Sequence, residues 1–221
     1  MAESEHLKDL KAVWGNSCQS MWAELLALSI AESYVTSNYA QIPSSRLLTD
    51  MFYVPNLVGR LGDLRRDTFL ERVNIYRQSV ITNRLVVFSA SFETYLSNFI
   101  DAFAKKKPKF WDAVTSNYTA DGNKFIGTVR QARGLDQKIL KFGEQAPAKI
   151  KSIEVLLPYL VDVYMLRNVL AHRAGLMDAS AASVLSHVKI LAGERVTITT
   201  DQLLQLAAPV INIAETLDKK I

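Results

Sequence analysis

The stretch "NRLVVFSASFETYLSNFIDAF" constrains the fold more than any other part of the chain. Leu85, Phe88, Phe92, Leu96, Phe99 and Phe103 recur at steps of three and four residues, which sets large apolar side chains along one face of a helix. A face of that kind has to be covered, so further helices must pack on it. Lys105, Lys106 and Lys107 follow, suited to the negative end of the helix dipole or to an RNA backbone, and Pro108 stops the helix before itself.

Residues of about 5 to 35 and 60 to 80 also read as helices. The connector "NYAQIPSSRLLTDMFYVPN", punctuated by Pro43 and Pro55, lies between them. Residues 1–70 are therefore expected to form an N-terminal helical extension, and residues 71–221 a helical domain. Between Phe110 and Lys149, Gly122, Gly127, Gly134, Gly143 and Pro147 argue for short helices and loops over the bundle core. In "HVKILAGERVTIT", Val188 and Ile190, then Val196 and Ile198, alternate around Ala192, Gly193 and Glu194, which predicts a small β-hairpin. Thr200 offers a cap to a terminal helix with Asp201 in its first turn, Lys219 and Lys220 in its last, and a kink at Pro209. The expected fold class is all-α, a helical bundle with a small C-terminal β-hairpin.

With 221 residues, 49% hydrophobic and 22% charged, the chain has ordinary globular composition and enough length to bury a core. No apolar run approaches the roughly 20 residues of a membrane helix. The start "MAESEHLKDLK" lacks the order of a signal peptide, so the expected location is the cytoplasm, with no membrane partner. Cys18 is the single cysteine, and His6, His172 and His187 are scattered, a pattern that offers neither a disulfide framework nor a zinc site. No metal or cofactor is expected. There is no GxxxxGK[ST], no GxGxxG after a strand and no HExxH, and Ser89 and Ser91 have no special spacing to a histidine. The net charge of +4 permits an acidic partner such as RNA without requiring one.

The most unusual segment is "SIEVLLPYLVDVYMLRNVLAH". Leu156, Leu160, Val163, Leu166 and Leu170 fall in one helical sector, while Leu157, Val161, Tyr164, Met165 and Val169 occupy most of the remaining circumference. Either the rest of the chain or a twofold copy must cover the second face, and a copy is the favoured expectation. Into this helix come Arg167, Asn168 and His172. At about 100° per residue, Asn168 and His172 lie roughly 40° apart, whereas Arg167 sits roughly 140° from His172. A guanidinium in apolar surroundings needs an acid, for which Glu93 and Asp162 are candidates, or a solvated cleft.

"RNVLAH" resembles the Arg, four to six residues, His signature of the HEPN superfamily, the higher eukaryotes and prokaryotes nucleotide-binding domains. The likeness extends over roughly residues 70 to 221 and is most similar to the RiboL-PSP-like group. It includes the polar residue after the Arg, the earlier core helix around "SFETYLSNFIDAF" and the late elements. It implies an all-α bundle that dimerises with both signatures in a shared cleft. The implied activity is a metal-independent endoribonuclease of toxin, defence or RNA-processing systems, partnered by RNA and by an antitoxin or neighbouring defence protein. Carried over residue by residue, the catalytic pair is Arg167 and His172, with Asn168 binding or orienting substrate; Glu93, the acid that could pair with Arg167, is a supporting candidate outside that carry-over. The toxin branch continues to a Tyr two residues past the His; here that residue is Ala174, which argues against an antitoxin that modifies such a Tyr.

RNA supplies its own nucleophile, the 2′-OH, so cleavage needs proton transfer and charge stabilisation at phosphorus. His172 is suited to the first task and Arg167 to the second. A noncatalytic RNA- or nucleotide-binding module, and a dimeric interaction scaffold using Arg167 in its interface, are the alternatives.

Overall fold

Every residue of the expected apolar face is buried, from Leu85 and Phe92 at 0% exposure to Phe103 at 3%. In this computed structural model the residues described are 3–51, 64–106, 132, 134–145 and 150–219. Among them the chain is all-α. Helices α1 (Glu5–Ser37) and α2 (Arg66–Lys106) are followed by α3 (Leu135–Gln145), α4 (Lys151–Glu154), α5 (Leu157–His172), α6 (Ala179–Val184) and α7 (Thr200–Asp218). The expectations that rest on Pro55, Lys107, Pro108, Gly122, Gly127, Pro147 and Lys220 lie outside the described residues. No helix among those described is long and apolar enough to cross a membrane.

The chain groups into two compact units. One comprises residues 1–18 and 82–221, the other residues 19–81. The expected division near residue 70 falls inside α2. In the smaller unit, Val35, Ile42, Leu48, Phe69 and Val73 form the core. Arg66, first residue of α2, donates to the carbonyls of Tyr39 and Ile42, and its guanidinium lies 4.1 Å from the Tyr39 ring centroid. One cation thus ties the turn after α1 to the start of α2.

In the larger unit, Phe99 and Phe103 of α2 meet Phe142 of α3 edge-on, with centroids 5.3 and 5.0 Å apart. Helix α3 lies in the glycine-rich stretch expected to hold short helices and loops, and Leu135, Ile139 and Phe142 anchor it. The Tyr95 hydroxyl donates to the Ala214 carbonyl at 2.7 Å, so the polar tip of this buried ring is satisfied within α7. Burial raises the Tyr95 phenol above its ordinary pKa. Thr199, one residue before the expected cap, forms a capping box with Gln202 and starts α7.

The β-hairpin expected over residues 188–198 is not present. Its alternation is real, since Val188, Ile190, Val196 and Ile198 are all buried, and its turn forms: Glu194 N–H donates to Leu191 at 3.1 Å, with Gly193 at φ 87°. Residues 193–196, however, pair with residues 175–177. Met177 N–H donates to Glu194, Gly193 N–H to Met177 and Val196 N–H to Gly175, around an isolated antiparallel bridge between Leu176 and Arg195. A partner remote in sequence outcompeted the adjacent one.

Candidate functional site

Helix α5 carries the motif. Pro158 sits in its first turn, where a missing N–H costs nothing. From Leu156 to Leu170 no residue is exposed, because α3, α6 and α7 of the same chain pack on this helix. The second apolar face, assigned above to a twofold copy in preference to the chain, is buried or half-buried at Leu157, Val161, Tyr164, Met165 and Val169. Burial of α5 therefore needs no second copy.

Arg167 and Asn168 are half-buried, and the guanidinium donates to Asn168 Oδ1 at 2.9 Å. His172 is exposed in the last turn. Neither acid expected beside Arg167 takes that place among the described residues. Glu93 lies 3.7 Å from Lys138, and the Asp162 carboxylate is bonded to residues 186 and 187. A planar cation with donors to spare is thus presented next to an amide, while the imidazole stands in solvent.

The helix ends within one residue of His172. The Val169 carbonyl receives N–H groups from both Arg173 and Gly175, at 3.0 and 3.1 Å. Ala174 and Gly175 are left-handed, at φ 50° and 76°. Gly175 adopts this at little cost, but Ala174 stores on the order of 1 kcal/mol of strain. The exit is then fixed by the pairing of residues 175–177 with 193–196, and Arg195 donates to the Ala174 carbonyl at 3.4 Å. Arg173 pairs with Asp178, both about half exposed, an arrangement that contributes little stability. His172 therefore stands on a stiff helix whose exit is pinned, although its own ring is unrestrained by any hydrogen bond among the described residues.

A second cluster was not foreseen. Asp162 is 0% exposed; its carboxylate accepts the N–H groups of Ser186 and His187 at 2.9 and 2.7 Å and lies 3.3 Å from His187 Nδ1. The His187 ring stacks on Tyr159, one turn before Asp162, with centroids 3.5 Å apart and 18° between planes. The only sign of this in the sequence was an aspartate in an apolar helix, which reads equally well as a partner for Arg167. Among the described residues no group of three or more His, Cys, Asp or Glu gathers to hold a metal ion. No protein-family model, curated protein or solved structure matches the chain.

Proposed function

We propose that the protein is an endoribonuclease of the HEPN type, cutting RNA by attack of the 2′-OH without needing a metal ion, in a toxin, defence or RNA-processing role. The observation that supports this most is Arg167: a half-buried guanidinium with Asn168 as neighbour and no carboxylate among the described residues to neutralise it. A cation kept in that state suits a phosphate, which it can engage through two parallel N–H bonds. Exposed His172 then exchanges protons with the 2′-OH or the departing 5′-oxygen. The products are a 2′,3′-cyclic phosphate and a 5′-hydroxyl. In excess chelator the purified protein should cut a mixed RNA pool and leave those ends; activity that appears only with a divalent ion contradicts the proposal.

The roughly 140° between Arg167 and His172 along α5 favours a site shared by two copies, with the Arg of one chain serving the same phosphate as the His of the other. Mixing tests this. A heterodimer of Arg167→Ala and His172→Ala chains retains one intact Arg and one intact His, and should be partly active where neither homodimer is. An inactive heterodimer, or a strictly monomeric active protein, contradicts the shared site. The same angular separation also suits a module that binds RNA without cutting it, which would retain affinity in the chelator assay and yield no products.

A further inference from the structure

We infer that a pocket between the first turn of α5, the segment after α6 and the first turns of α7 binds an uncharged planar heterocycle of the nucleobase type. It has a volume of about 290 Å³ and is lined by Tyr159, His187, Val188, Gln202, Gln205 and Leu206. That size is at the small end for ligand sites and suits a single ring system.

The chemistry of the lining selects the ligand. In the neutral His187 ring, a proton on Nδ1 faces the fully buried Asp162 carboxylate at 3.3 Å and leaves the Nε2 lone pair as an acceptor, the ring being stacked on Tyr159. Gln202 already accepts the Thr199 N–H through Oε1 at 2.8 Å, so its NH₂ group remains to donate. Gln205 makes no hydrogen bond among the described residues and offers both a donor and an acceptor. Val188 and Leu206, 3% and 1% exposed, supply the apolar wall. An acceptor, a donor and an amide around apolar surface match the edge of a base, which carries both kinds of group on a flat ring. No Lys or Arg lines the pocket, which argues against a phosphate there.

This proposal is independent of RNA cleavage, because none of Arg167, Asn168 and His172 lines the pocket. The test is a titration of the full chain, labelled with ¹⁵N at histidine, with adenosine, guanosine, cytidine and uridine in turn to millimolar concentration. At least one nucleoside should move the His187 ring signals saturably while those of His6 and His172 stay still. Gln205→Ala alters an exposed residue that leaves the Asp162 contacts intact, and should weaken that binding about fivefold, the value of one hydrogen bond. The proposal is overturned if no nucleoside gives a saturable shift, if ribose 5-phosphate alone gives an equal one, or if Gln205→Ala binds unchanged.

Discussion

In the first half of α5, Asp162 is wholly buried and its oxygens are committed to Ser186 and His187; near the other end, half-buried Arg167 makes its side-chain hydrogen bond, among the described residues, to the neighbouring Asn168, and His172 reaches into solvent. The same helix thus carries one polar group that fastens the fold and others that contribute little to it. A saturated carboxylate is costly to remove, because its two N–H partners would stay behind without an acceptor. The exposed imidazole can change without loss of packing, while the half-buried guanidinium keeps donors that no carboxylate among the described residues takes up, so both are available to a ligand. The contrast separates polarity that holds the fold from the polarity proposed to act on RNA, on a single element.

Substitutions at the two ends of α5 should differ in kind. The largest effect is expected at Arg167: Arg167→Ala should lower RNA cleavage by roughly 10²–10³-fold, the scale of losing a charge-stabilising donor, and weaken RNA binding with it. Arg167→Lys should recover only part of the rate, since it lacks the planar fork. If steady-state kinetics show both variants at the wild-type rate, the open end of α5 has no catalytic part. At Asp162 the effect should fall on stability instead. Asp162→Ala should cost about 2 kcal/mol in urea unfolding, as two part-buried N–H groups lose their acceptor. A loss below about 0.5 kcal/mol, the range of a neutral surface change, would erase the difference between the two halves. The smallest effect is expected at Ala174, where φ is 50°. Ala174→Gly should stabilise by up to about 1 kcal/mol, relief of strain being offset partly by the greater freedom of glycine in the unfolded chain. A lower melting temperature would show that this exit holds no strain.

What could be read in the sequence was local. The Leu85 to Phe103 face emerged from helical period alone, and each of its residues is buried. Thr199 caps α7 one position from the expected Thr200, a shift that side-chain geometry decides and composition does not. The turn at Gly193 was visible, but residues 193–196 chose residues 175–177 over their sequence neighbours. Pairing across nearly twenty positions leaves no local signature. Asp162 with His187, 25 residues apart, was hidden for the same reason: both residues were seen, and nothing along the chain joined them. That Arg167, Asn168 and His172 share one helix was legible because they lie within two turns of each other.

The proposed chemistry at the C-terminal end of α5 depends first on His172. Single-turnover cleavage of a labelled RNA in excess chelator should be compared between the wild-type protein and His172→Ala, each with its melting curve. Cleavage should fall roughly 10²-fold or more, the scale of a lost general acid or base, with the melting temperature nearly unchanged because the ring is exposed. Cleavage by His172→Ala at the wild-type rate would contradict that role.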